Sequence, residues 1–206
     1  ARKSAPSVAA WRTAHPQRPL LLVLTGTDLY GDVDHDPAAQ RSLALADRLV
    51  VLNELGVRHL PTNLQHKASV CLQSSPHRRA LDKPSRHLRA LMVGHLREEK
   101  SPATYFEAAR RLPLRPDILL DHVGGPLDAA LAEEARALSL QCPGYRWLGD
   151  LQHRRTRDRI QAAHVLVHPS RIEGGAQAVI EAITSGTPVL ASRIDGNVGL
   201  LGVDYP

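Results

Sequence analysis

The sequence predicts an α/β protein made of two Rossmann-like units, each a parallel sheet with helical crossovers. Three observations predict it. Short apolar runs alternate with helical patterns along all 206 residues, and strands that alternate with helices pair in parallel through crossover connections. Helix starts carry capping residues, as at Asp36-Pro37 and Ser101-Pro102, where proline fits the first helical position because the N–H it lacks would have no partner there. Between residues 73 and 86 the chain collects Ser, Pro and charge without periodicity, the mark of a linker. The expected domains are therefore 1–84 and 85–206.

The first series opens with a helix over residues 4–14, stopped by Pro16, and a strand over 20–24. A helix follows from Pro37 to about residue 47, then strands over 48–52 and 68–72. The second series starts with a strand over 88–93 that ends at Gly94. A helix over 102–112, a strand over 118–123, a helix over 127–140 and a short strand over 145–148 come next. The series closes with a helix over 153–162, a strand over 165–168, a helix over 176–185 ended by Gly186, and a strand over 189–192.

Composition narrows the function classes. Hydrophobic residues make up 43% and charged residues 23%, ordinary for a soluble globular chain. Aromatic residues are only 3%, so the core is aliphatic. The net charge of +5 invites a nucleic-acid partner, but the 26 basic residues are spread along the chain and rings for base stacking are scarce. Nucleic acid is not expected as a partner, and the charge suits a small anionic substrate. Cys71 and Cys142 stand alone, with no second cysteine at metal or redox spacing, which points to structural thiols in a reducing compartment. The longest apolar run, residues 20–24, is far too short to span a bilayer. A cytoplasmic location is the default expectation. A chain that begins at Ala1 and has its only Met at position 92 is expected to be a fragment or a processed form.

The stretch that asks for chemistry is 173–192, Glu-Gly-Gly-Ala-Gln-Ala-Val-Ile-Glu-Ala-Ile-Thr-Ser-Gly-Thr-Pro-Val-Leu-Ala-Ser. Most of it is apolar, yet Glu173 and Glu181 stand in it, and charged residues are rarely buried without partners. Parallel sheets bind ligands outside the carboxyl ends of their strands, and residues 171–175 follow the strand that ends at His168. Gly174 and Gly175 allow close backbone approach. The helix expected from Ala176, with Gln177 in its first turn, would aim free N–H groups at an anion, most naturally a phosphate. Glu173 would repel phosphate, so it is read as facing sugar hydroxyls. Gln177, Glu181 and Thr184 share one polar stripe beside Ala178, Val179, Ala182 and Ile183, which places Glu181 at the edge of a buried helix. Two carboxylates suited to diols, flanking a phosphate site, describe a nucleotide-sugar pocket.

Glu173, seven residues and Glu181, followed by Ala182, Gly186, Thr187, Pro188 and Val189, resemble the signature of retaining glycosyltransferases with the GT-B fold. The resemblance implies two Rossmann-like domains with parallel sheets facing across a cleft, in a chain truncated at both ends. It implies that Glu173 holds the donor sugar, that Glu181 holds the ribose hydroxyls, and that the amides of Gly174, Gly175, Ala176 and Gln177 hold the diphosphate. The family also places Gly-Arg, four residues and Lys after the first strand of the second domain. Here Val93-Gly94-His95-Leu96-Arg97-Glu98-Glu99-Lys100 keeps the lysine as Lys100, while His95 takes the arginine position and Arg97 is the candidate substitute. The other reading of Arg97 is a solvated charged turn.

A narrower resemblance runs through the stretches 24–30, 42–52, 92–100, 168–175 and 188–202, which are similar to the selenosugar synthases of selenoneine biosynthesis. Gln177 departs from their usual Asn. The resemblance implies transfer of a sugar from a UDP-sugar to selenophosphate, with loss of UDP and then of phosphate. A selenium nucleophile is anionic near neutral pH and needs no strong base, so the protein's task is electrostatic. Lys100, Arg97 and the loop amides would stabilise the departing diphosphate without a metal or cofactor. The loop Thr25-Gly26-Thr27-Asp28 is the candidate acceptor site; the alternative is a turn in which Asp28 caps the next segment. Two further readings stay open: a GT-B enzyme with an ordinary carbohydrate, lipid or small-molecule acceptor, and a non-catalytic nucleotide-sugar binding module. The preferred UDP-sugar, the product anomer and the oligomeric state are not encoded in any of these motifs.

Overall fold

A computed structural model of the chain describes residues 1–112 and 115–206. Their contacts separate into two units. Unit 1 comprises Ala1–Gln73, Ile172–Ala176 and Arg193–Pro206, and unit 2 comprises Ser74–Arg171 and Gln177–Ser192. Residues 74–84, grouped with the first domain by the sequence reading, cluster with unit 2. The reason is a row of hydrogen bonds. Arg157 Nη2 donates to the Pro76 carbonyl (2.7 Å), Gln161 Nε2 to that of Arg79 (2.8 Å), and Arg78 Nη1 to Asp158 (2.7 Å).

Unit 1 holds a parallel sheet in the order β1 (Leu21–Leu24), β2 (Arg48–Val51), β3 (Ala68–Val70). Leu22 and Leu24 of β1 and Leu49 and Val51 of β2 are buried, while Leu21 and Val23 are exposed. That is the period of two expected of strands with one face on a core. The core is filled out by Val8 of α1 (Ala5–Ala14) and by Ala39 and Leu43 of α2 (Pro37–Leu45). The expected cap forms: Asp36 Oδ1 accepts from Ala39 N at 2.8 Å, with Pro37 at the first position. The expected loop 25–28 runs into a π-helical turn at Asp28–Asp32. A 3₁₀ turn at Gly56–His59 and α3 (Thr62–Gln65) lead to β3.

Unit 2 has five parallel strands in the order β6-β5-β4-β7-β8. They are β4 (Leu88–Val93), β5 (Ile118–Val123), β6 (Tyr145–Trp147), β7 (Val165–His168) and β8 (Val189–Ala191). The crossovers are α4 (Pro102–Arg111), α5 (Ala129–Gln141), α6 (His153–Ala162) and α7 (Gln177–Ile183). Ala90, Met92 and Leu120 pack with Phe106, Tyr105, Ala135 and Leu138 in one apolar core. Unit 1 then takes the chain back in α8 (Asp195–Leu201), a helix the sequence reading does not contain. Among the described residues no helix is long and apolar enough to cross a membrane.

Ser101 differs from expectation. It stands before α4 with a left-handed backbone, φ +50°, and makes no side-chain cap bond. Its hydroxyl pairs instead with Thr104 Oγ1 at 3.0 Å. A left-handed non-glycine residue costs roughly 1–2 kcal/mol, and here the turn swings the chain out of the 3₁₀ turn Glu98–Lys100 into the helix.

Two buried polar groups sit in the β4–β6 half of the sheet. Asp121 is fully buried and is held by Arg89 at 2.7 Å and by Arg146, whose Nε and Nη2 reach both carboxylate oxygens at 2.9 and 3.1 Å. A buried carboxylate is tolerable only when paired in this way. His122, also fully buried, bridges the Tyr145 hydroxyl (Nδ1, 3.1 Å) and the Gly94 carbonyl (Nε2, 3.1 Å). A carbonyl can only accept, so Nε2 carries the proton and Nδ1 accepts from tyrosine.

Burial lowers His122 to about 4, against an opposing hydrogen bond to Gly94. The unfolded chain protonates this histidine near pH 6.5 while the folded one resists until about 4, so stability falls as pH drops through that window. The loss at pH 4 should approach about 3 kcal/mol. Urea unfolding of wild type and His122→Gln from pH 7 to 4 checks it. The stability difference between the two should narrow toward low pH, and a constant difference would contradict the assignment.

Candidate active site

In an open parallel sheet, ligands bind where the strand order reverses. In unit 2 that point lies between β4 and β7, whose neighbours on either side are β5 and β8. The loop after β4 is the basic turn that begins at Gly94. Gly94 lies under Lys100: a methyl group on it would meet the lysine Cβ and Cγ at 3.4 Å. Gly124 packs so closely on the Gly94 carbonyl that no side chain fits there. His95 Nδ1 accepts from Gly125 N at 2.9 Å, which fixes the ring and commits that nitrogen. The loop after β7 is bonded to the same turn, since Arg171 N donates to the Glu99 carbonyl (2.8 Å) and Arg171 Nη1 to Glu98 (3.0 Å). Arg97 is exposed, and its guanidinium lies 4.0 Å from Glu99. Lys100 is half-buried, with its stem against glycine.

The second carboxylate of the motif lies in α7. This helix begins at Gln177 and has seven residues, shorter than the expected 176–185; Gly186, with φ +66°, turns the chain out of it as expected. Glu181 is buried, and its Oε1 accepts from His153 Nε2 at 2.6 Å and from Gln177 Nε2 at 3.4 Å. His153 is the first residue of α6, and α6 packs on α7. A buried carboxylate is tolerable when it is hydrogen-bonded in this way.

Unit 1 holds the remaining predicted residues. Glu173 is buried, and its backbone is pressed between two glycines. A methyl group on Gly26 would stand 2.7 Å from Gly174 N and 2.9 Å from the Glu173 carbonyl carbon. One on Gly196 would overlap the Glu173 carbonyl oxygen. Gly175 is equally confined: its methyl would meet Leu52 Cβ at 2.7 Å and Gln73 Oε1 at 2.6 Å. The missing side chains of Gly174 and Gly175 therefore serve approach to the protein's own chain. Asn53, fully buried, ties these parts together. Its Nδ2 donates to the Gly174 carbonyl (2.8 Å) and to the Tyr30 hydroxyl (3.0 Å), and its Oδ1 accepts from Leu55 N (3.0 Å). Beside it His59 Nε2 lies 2.7 Å from Asp195.

Residues 73–202 match the family model of glycosyl transferases group 1. The chain belongs to that family. It is 32% identical over 117 residues to D-inositol 3-phosphate glycosyltransferase 2 of Catenulispora acidiphila, a match that covers 52% of this chain and 27% of the relative. Its fold resembles Alr3699/HepE of Anabaena, solved in complex with UDP and glucose, with a TM-score of 0.75 at 17% identity over 97% of this chain and 59% of that one. Sucrose-phosphate synthase from Thermosynechococcus elongatus gives a TM-score of 0.74 at 21% identity, covering 97% of this chain and 56% of that chain. The chain thus spans about a quarter of the curated relative and less than two thirds of these structures. At such identities the structures show the α/β, GT-B type of fold.

Within this group 1 glycosyl transferase, the residues expected at the site are distributed over both units. His95, Arg97, Lys100, Gln177 and Glu181 belong to unit 2, and Thr25–Asp28 and Glu173–Ala176 belong to unit 1. Asp28 is bonded back into its own loop. Its Oδ2 accepts from Thr25 N (3.0 Å) and from Thr25 Oγ1 (2.8 Å), so that hydroxyl is engaged within the loop. Among the described residues, no group of three or more His, Cys, Asp or Glu is placed to hold a metal ion. Sequence reasoning missed His153, Asn53 and the His59–Asp195 pair. His153 is 28 positions from Glu181 and Asn53 is 121 from Gly174, so no local spacing signals either contact.

Asn53→Ala would strip the Gly174 carbonyl of its donor in a buried place, a loss worth about 1–3 kcal/mol. The variant should unfold at lower urea and exchange backbone hydrogens faster over residues 173–176. Exchange and stability equal to wild type would show that Asn53 does not hold this loop.

Proposed function

We propose that this chain carries the donor site, and part of the acceptor site, of an enzyme that moves a sugar from a UDP-sugar to selenophosphate. The supporting observation is the backbone contact of Gly26 with Glu173 and Gly174. It sets the candidate acceptor loop directly against the residue read as holding the donor sugar. Membership of the glycosyl transferase group 1 family supports the transfer, and the resemblance of five stretches to selenosugar synthases supports the acceptor.

The roles follow from charge. Selenium of selenophosphate supplies the electron pair that forms the bond to the sugar C1. The bond from C1 to the diphosphate oxygen breaks, and its electron pair leaves on UDP. Water then cleaves the phosphorus–selenium bond, releasing phosphate and the 1-seleno-sugar. Lys100 and Arg97 meet the growing charge on the diphosphate, which is stabilisation concentrated in the transition state. Glu181 accepts from the ribose hydroxyls, and Glu173 from the sugar. His95, with Nδ1 already bonded, contributes through Nε2. Gly26 and Thr27 are left to meet the acceptor oxyanion, Thr25 and Asp28 being bonded to each other. No metal or cofactor is assigned. The unpaired Cys71 and Cys142 suit the reducing cytoplasm. A second reading, the same donor chemistry with an ordinary hydroxyl acceptor, is favoured by the name of the Catenulispora relative.

The full-length protein, given a UDP-sugar, should release UDP with selenophosphate in excess EDTA and should not do so with neutral sugars. Transfer to a neutral sugar hydroxyl alone would leave the second reading, and activity lost in EDTA and restored by magnesium would overturn the assignment of the leaving group. Lys100→Ala should lower kcat on the order of 10²–10³-fold with little change in the donor KM. Normal kcat with weaker donor binding would contradict its role.

A further inference from the structure

We propose that His153 positions Glu181 for the ribose of the donor nucleotide and thereby sets a preference for ribonucleotides over 2′-deoxyribonucleotides. The inference rests on the reading of Glu181 given above. It starts from how the carboxylate is held. The Glu181 side chain is 4% exposed and that of His153 73% exposed, so the pair runs from the inside of unit 2 to its surface. A carboxylate has two oxygens and about four acceptor positions. Both side-chain donors, His153 Nε2 at 2.6 Å and Gln177 Nε2 at 3.4 Å, are on Oε1. Oε2 lies outside both bonds and keeps two acceptor positions. A vicinal diol presents two donors, so the number matches.

Gln177 and Glu181 are one helical turn apart on α7, so their side chains lie on the same face of the helix. Gln177 is the weaker holder. Its bond is the longer one, and the same Nε2 also reaches the Ser74 carbonyl at 3.3 Å. Without His153 the carboxylate has only this shared contact, and its long side chain regains rotamers that turn Oε1 and Oε2 interchangeably outward. A site that hydrogen-bonds a hydroxyl discriminates against a ligand lacking it only when the acceptor is fixed. His153 is therefore a positioning residue, acting through Glu181.

The test is calorimetry of UDP and 2′-deoxy-UDP with full-length wild type, His153→Ala and His153→Gln, together with thermal unfolding of each. Wild type should favour UDP by on the order of tenfold, the worth of one such hydrogen bond. In His153→Ala the preference should fall toward one, through loss of UDP affinity with 2′-deoxy-UDP little changed. His153→Gln, whose Nε2 donates from nearly the same place, should restore most of the preference. An unchanged preference in His153→Ala overturns the proposal, and so does an equal weakening of both nucleotides, which is the mark of a merely structural role. A wild type that binds both nucleotides alike removes the ribose reading of Glu181, and the proposal with it.

Discussion

All strand pairings in both sheets are parallel, and the placement of every candidate functional residue depends on that. Parallel strands need crossovers, and each crossover delivers its strand in the same sense. The loops after β4, β5 and β7 therefore gather at one edge of the unit 2 sheet, where Gly94, Gly124, Gly125 and Arg171 bond to one another's segments. In unit 1 the loops after β1 and β2 meet in the same way, Gly26 and Asn53 both contacting Gly174. The sheet sets where the loops end. Glycines then decide how closely they approach.

Three buried ionisable groups of unit 2, Asp121, His122 and Glu181, each have fixed partners. Asp121 is neutralised by Arg89 and Arg146 across neighbouring strands. His122 stays neutral because burial disfavours its charged form, and so can bridge Tyr145 and Gly94. Removing one member of such a set costs more than the set itself contributes, since the survivor is left buried and unpaired. Glu181 differs in one respect: its partner His153 stands at the surface, so the inner carboxylate is connected to a side chain that solvent and ligands can reach.

The regular elements were legible in the sequence where local chemistry specifies them. β4, β5, α6 and β7 have the bounds expected from apolar runs and their flanking residues, and Asp36 caps α2 as its position before Pro37 implies. Legibility failed where the backbone departs from common geometry. The π-helical turn at Asp28–Asp32 and the left-handed Ser101 carry no compositional mark. α8 escaped because Asp195-Gly-Asn-Val-Gly reads as a loop until its packing is known. The two glutamates were singled out as charges in an apolar stretch and by resemblance to a family signature, whereas the residues that hold them were not. His153, Asn53 and Gly196 reach the motif through the fold, and no single sequence contains that information.

The proposed ribose role of Glu181 joins the buried pair, the switch-point geometry and the nucleotide reading, and isothermal calorimetry of UDP with full-length wild type and Glu181→Ala tests it most directly. Removal of the acceptor should weaken UDP binding by on the order of tenfold or more while the fold persists by thermal unfolding. An unchanged UDP affinity in a folded variant would contradict it.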